Sequence, residues 1–253
     1  MVAGSQGSPP EGYGDRTGGV SEPGPAVLLA RAGCVQLIAD VRAHVPIHLT
    51  IHDLGTHVEI RLVSKDETNR LTLACVRELH DTVRSLERAP KPLILTGNGK
   101  FFSAGAELSE IQEIAGSSAM GFAQMGQDLM NGIAQFPSPV YAAIHGYCMG
   151  GGLDLALACH RRIASAHAVF GHRGAALGLV TGWGGTQRLP RLVGKGRALA
   201  MLIAAEKLHA RDALAIGLID AIADDPVAEA VRRIRNNENA ASHTGTAHPV
   251  MEF

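Results

Sequence analysis

The spacing of apolar residues changes along the chain, and each change marks an element. Ile47, Leu49 and Ile51 alternate with polar residues, and so do Val58, Ile60 and Leu62. A period of two belongs to a half-buried strand, and residues 53–56 between the runs include Gly55, so the segment predicts a β-hairpin. Val76, Leu79, Val83 and Leu86 then fall three or four apart, which is one face of a helix. Pro90 and Pro92 end that helix, and PLILTG (92–97) reads as a buried strand. GNGKFFSAGAELSEI (97–111) reads as a loop leading into a helix, with helical spacing to about Gln135. After a proline-flanked break, VYAAIHG (140–146) reads as a strand. LDLALAC (153–159) is apolar nearly all round, which marks a helix buried on most sides. A short strand is expected around 168–170, then a glycine-rich loop to Gly185. Helices near 187–193, 196–205 and 210–217 and a short strand at 218–223 complete the pattern.

Strands and helices that alternate in this way predict an α/β fold with a mostly parallel sheet and helices outside. The ends differ. Residues 1–25 are rich in Gly, Pro and Ser and carry too little apolar surface to offset ordering entropy. Residues 1–45 together read as a disordered or weakly structured extension, 46–225 as the core, and 226–253 as a short tail whose last part, ENAASHTGTAHPVMEF, reads as disordered.

Composition adds limits. The 253 residues suit one domain with tails. Apolar residues make up 46% and aromatic residues only 4%, so the core must be aliphatic. A net charge of −1 argues against a general nucleic-acid surface. Cys34, Cys75, Cys148 and Cys159 form no CxxC pair and read as reduced, packed thiols of a cytoplasmic protein. No membrane span, secretory signal or metal site is expected; the 12 histidines lack HxxxH and HExxH spacing.

The chemical clue is a repeat of form. Strand, glycine loop and helix follow one another at 92–114 and again at 140–158. Each loop presents backbone N–H groups at a helix start, where the first four have no helical partner. Two such loops face to face would aim two donors at one oxygen, an oxyanion hole. The second loop holds three consecutive glycines, Gly150 to Gly152, and then Asp154. Two readings of Asp154 stand: an acid offsetting the helix dipole, or a catalytic carboxylate in an otherwise apolar helix. His145 and His160 read as structural. Trp183, the only tryptophan, reads either as lining an acyl site or as core packing. Gln187 and Arg188 read as structural residues at a helix start.

GNGKFFSAGAEL (97–108), GYCMGGGLDLALAC (146–159) and FGHRGAALGLVTGWGGTQRLPRLVG (170–194) resemble the crotonase superfamily of enoyl-CoA hydratases and isomerases. The similarity covers roughly residues 47–223. It implies a crotonase-like spiral of ββα units with helices packed outside, and a homo-trimer or hexamer. It also implies an acyl-CoA thioester as ligand, with coenzyme A as part of the substrate and no other cofactor. Carried across, the resemblance puts the two carbonyl donors on Ala106 and Gly151, with Ala104 where the loop meets adenine. Gly105, Gly150, Gly174 and Trp183 would line the substrate.

The sequence departs from the family at the acids. Asp154 stands where hydratases have the first glutamate, as in dienoyl-CoA isomerases. The second glutamate slot is Gly174, and a further isomerase acid falls on Gly182. His172, beside the vacant slot, is a candidate acid or base at neutral pH. Lys65, Arg70 or Lys100 would reach the CoA phosphates. The family's C-terminal helices correspond here to a shortened C-terminal helical region. The expected function is enoyl-CoA hydratase or isomerase chemistry with Asp154 as a single acid. The alternative is a non-catalytic acyl-CoA-binding protein on the same fold.

Overall fold

The computed structural model describes residues 48–114 and 118–243, with side chains to residue 236. The expectation for residues 1–45 lies outside the described residues.

The hairpin forms where the alternation predicts it, although Ile51, expected on its buried side, is 47% exposed. β1 (Leu49–Asp53) pairs antiparallel with β2 (Val58–Leu62), and Ile51 lies opposite Ile60. Gly55 turns the chain at φ +82°, and its N–H donates to Asp53 Oδ1 at 2.9 Å. After the short β3 (Arg70–Leu71), Thr72 caps α1 (Leu73–Leu86), its hydroxyl accepting the Cys75 N–H at 3.1 Å. α1 buries Cys75, Val76, Leu79 and Val83, the face its spacing predicts. β4 (Leu93–Thr96) is buried at every position, as a strand covered on both faces must be.

The loop that follows is more structured than its sequence indicates. It contains β5 (Phe101–Ser103) and β6 (Gly105–Ala106) before α2 (Leu108–Glu113). Next come α3 (Ser118–Ala134), β7 (Val140–Ile144), β8 (Tyr147–Met149) and α4 (Gly151–Ala158). β9 (Arg161–Ala164) carries two arginines and gives no strand signal in the sequence. Arg162 is nonetheless buried, because its guanidinium donates to Cys159 O at 2.7 Å and Leu218 O at 2.9 Å and meets Asp220 at 3.3 Å. β10 (Val169–Gly171), a 3₁₀ turn (Gly174–Leu177), α5 (Gly185–Val193) and α6 (Lys195–Ile203) follow. β11 (Leu208–His209), α7 (Ala210–Ala215), β12 (Ala221–Ile222) and α8 (Pro226–His243) end the described chain.

Among the described residues there are three sheets. The largest runs β1-β2-β4-β7-β9-β12 and is parallel after the hairpin. A second runs β11-β10-β8-β5, with β5, β8 and β10 parallel. β3 and β6 form a parallel pair. Period-two alternation in β4 and β7 sends Leu93, Leu95, Ala142 and Ile144 into the main core. Ile94, Tyr141 and Ala143 point the other way and pack with Ala230 and Ile234 of α8. Residues 226–243, read from the sequence as part of a tail, are therefore a helix. Its apolar face covers sheet residues that would otherwise meet water.

Candidate active site

The two glycine loops meet. Gly105 has φ +102° and Gly150 φ +52°, values that side-chain-bearing residues rarely adopt. A Cβ on Gly105 would stand 2.8 Å from Met149 O and 3.3 Å from Gly151 N. A Cβ on Gly151 would stand 3.3 Å from Ala106 N. A Cβ on Gly152 would press on Ser103 at 2.6 Å. The triplet thus has three separate reasons: conformation at Gly150, the Trp183 ring and the Ala106 backbone against Gly151, and packing at Gly152. Neighbouring N–H groups are occupied: Ala104 donates to Thr68 O, Gly105 to Ser103 Oγ and Gly150 to Gly171 O. Gly151 is the first residue of α4, so its N–H has no acceptor within that helix.

Asp154 lies one turn into α4 and is 1% exposed. Thr181 Oγ1 donates to its Oδ2. His172, just after β10 and also buried, places Nε2 at 3.1 Å from Oδ1. That is ion-pair distance, but the angle misses hydrogen-bond alignment, and neither atom has another protein partner among the described residues. Enclosing an ionised acid costs free energy unless it is paired, and here the carboxylate meets a threonine hydroxyl and a histidine. Gly185 makes the arrangement possible, since a Cβ there would overlap Oδ1 and stand 2.9 Å from Nε2.

The vacant acid slot is closed, not merely empty. A Cβ on Gly174 would lie 2.8 Å from Leu179 O, and Gly174 O accepts the Leu179 N–H at 2.8 Å. Gly182 is exposed and open, with Ala123 Cβ its nearest neighbour at 3.9 Å. Asp154 shares the cavity with one other carboxylate among the described residues, Glu107. Glu107 caps α2 and pairs with Arg70 at 3.1 Å. The Ser109 N–H and then Arg70 hold its carboxyl below the usual range.

One cavity of about 550 Å³ unites the residues singled out from the sequence. Residues 104–106 and 150–151 line it together with Asp154, His172, Gly174 and Trp183. Of the three candidate phosphate cations, Arg70 lines it. Trp183 is packed as a core residue. Its ring is 3% exposed and also borders the cavity. It is wedged where a Cβ on Gly126 would overlap it and one on Gly151 would come within 2.6 Å, and Phe122 packs against it with ring centroids 5.3 Å apart and planes tilted by 38°. Ile111, Ile114, Leu177 and Val180 supply apolar wall. His160 is structural: Nδ1 accepts the Val140 N–H at 2.9 Å, so Nε2 donates to Ala134 O at 3.1 Å. Arg188 is structural too, donating to Trp183 O and Asn131 Oδ1. Sequence reasoning missed Thr181, Gly185, Phe122 and Gly126. Among the described residues, no cluster of His, Cys, Asp and Glu is arranged for a metal, and no helix is long and apolar enough to cross a membrane.

Residues 55–247 match the family model described as enoyl-CoA hydratase/isomerase. A probable enoyl-CoA hydratase of Bacillus subtilis (strain 168) is 39% identical over 171 residues, covering 66% of this chain and 66% of that protein. A crotonyl-CoA hydratase of Syntrophomonas wolfei is 40% identical over 157 residues, covering 61% of this chain and 60% of that protein. The matched region thus spans 60–66% of the length of these relatives. Among solved structures, Pseudomonas aeruginosa DspI superimposes with a TM-score of 0.72 at 33% identity, over 76% of this chain and 80% of that one. An enoyl-CoA hydratase from Bacillus anthracis superimposes with a TM-score of 0.70 at 31% identity, over 78% of each chain.

Proposed function

The chain belongs to the enoyl-CoA hydratase/isomerase family, and from that premise we propose that it is an acyl-CoA enzyme acting through a thioester enolate. The thioester carbonyl oxygen is received by the backbone N–H groups of Ala106 and Gly151. Negative charge that gathers on that oxygen is stabilised by donors already in place, an effect of about 3–4 kcal/mol per donor in comparable sites. Asp154 handles the proton. In hydration, the water oxygen bonds to Cβ, Asp154 takes the water proton, and Asp154 returns that proton to Cα as the enolate collapses. In a double-bond shift, Asp154 removes a proton from one allylic carbon and returns it to another. His172 lies against Asp154 and is the second proton-holding group beside it, in a site where Gly174 carries no acid.

The observation that carries this reading is the burial of Asp154 in the cavity that Ala106 and Gly151 also line. The alternative, a binder of acyl-CoA without turnover, draws on the closed slot at Gly174. Assembly as a trimer or hexamer in the cytoplasm is part of the same proposal. Hydration of crotonyl-CoA and isomerisation of a 3-enoyl-CoA, followed in wild type and Asp154→Asn, test it. Loss of a proton carrier lowers turnover by about 10²–10⁴-fold while thioester affinity stays. Binding without turnover in the wild type would replace the enzyme reading by the alternative, and absence of thioester binding would remove both.

A further inference from the structure

Asp154 is useful only if its oxygens point in a fixed direction. Its own helix does not fix them, because the adjacent Leu153 and Leu155 are buried apolar residues. The groups that meet the carboxylate come from the stretch between β10 and α5. Thr181 Oγ1 donates to Oδ2, and His172 Nε2 stands at 3.1 Å from Oδ1. Thr181 also lines the cavity. Its methyl is held as well: Cγ2 would be 2.9 Å from a Cβ on Gly185, so it packs against that residue's bare backbone. A β-branched residue engaged through both branches has little freedom at χ1.

We propose that Thr181 is the positioning residue of this site: its hydroxyl engages Oδ2 and so fixes the plane of the Asp154 carboxylate, with Oδ1 held toward His172. The inference rests on the reading of Asp154 as the acid–base group. Its logic is one of donor counts. A hydroxyl has one O–H to donate, and an ionised carboxylate only accepts, so the bond runs in one direction. With Oδ2 held by that bond, the carboxylate cannot turn freely, and Oδ1 stays toward the His172 ring. The ring nitrogen facing it can carry a proton. Serine keeps the donor but loses the methyl that fixes it. Valine keeps the shape but loses the donor.

Steady-state turnover of crotonyl-CoA by Thr181→Val and Thr181→Ser tests this, together with the NMR resonance of the His172 Cε1–H. Loss of a hydrogen bond to a charged group lowers kcat by about 10–100-fold in the valine variant, with KM within about 2-fold. The His172 resonance moves, because the carboxylate facing it has turned. The serine variant recovers kcat to within about 5-fold of wild type, since the donor is restored. A valine variant with wild-type kcat and an unmoved resonance overturns the proposal, as does a serine variant as impaired as valine. If the wild type binds the thioester but does not turn it over, the enzyme reading fails separately, and the resonance alone decides the role of Thr181. A valine variant without a native near-ultraviolet spectrum is replaced by Thr181→Ala, for which the same losses are expected.

Discussion

Gly185→Ala sets a local preference against a tertiary one. Gly185 opens α5, where alanine is ordinarily the better residue. A Gly→Ala change at a compatible site stabilises by about 0.4–1 kcal/mol, largely through the unfolded chain. Here the new Cβ would overlap Asp154 Oδ1 and stand 2.9 Å from both His172 Nε2 and Thr181 Cγ2. None of the three yields easily, because all are buried or bonded to one another. Overpacking of this kind costs about 1–3 kcal/mol, so the net effect is a loss of about 1–2 kcal/mol. To reach ordinary contact the carboxylate must retreat by about 1 Å, and a misplacement of that size costs about 10²-fold in rate. Urea unfolding reads the first quantity as a lower midpoint at unchanged slope. Turnover of crotonyl-CoA reads the second, while thioester affinity stays near wild type because Ala106 and Gly151 lie in other loops. Gly196→Ala in α6 is the control: nothing lies within 4 Å of its added Cβ, so it stabilises by about 0.4–1 kcal/mol. A Gly185→Ala protein as stable as wild type, with turnover within about 3-fold, would refute the close packing of this pair.

Two further outcomes follow from burial. Trp183→Ala empties the space between Gly126, Gly151 and Phe122 and destabilises by about 3–5 kcal/mol in urea; a loss below about 1 kcal/mol would mean the ring is not packed as described. The Cys75 and Cys159 thiols are pushed up to about 12 by burial. Stability is therefore complete below about pH 9, where both folded and unfolded thiols are protonated. Between about pH 9 and 12 the unfolded chain ionises and the fold does not, so stability falls by about 1.4 kcal/mol per pH unit for each thiol. Urea midpoints at pH 8 and 10 measure this, and a slope unchanged in the Cys75→Ala/Cys159→Ala double variant would show that the thiols do not carry it.

The sequence by itself determined whatever depends on local spacing or on residues that only one conformation permits. The hairpin of β1 and β2, the buried face of α1 and the all-apolar α4 follow from periods of two and 3.6. The glycines at 105 and 150 to 152 were legible because bare backbone is rare enough to demand a cause, and Asp154 because it interrupts an apolar helix. Strands β5, β6, β8 and β11 were not legible. Each is two or three residues long, too short to show a period, and exists because a distant strand lies beside it. β9 was hidden by its two arginines, and the burial of Arg162 depends on acceptors at Cys159, Leu218 and Asp220. The cluster around Asp154 is the clearest case. His172 could be named as a candidate, but not its 3.1 Å approach to Asp154. Thr181, 27 residues beyond that acid, carried no signal at all. Gly185 looked like one more glycine in a loop. These residues become a site only when β10 and α5 pack against α4, and a hydroxyl or a missing Cβ acquires its meaning from the group it meets.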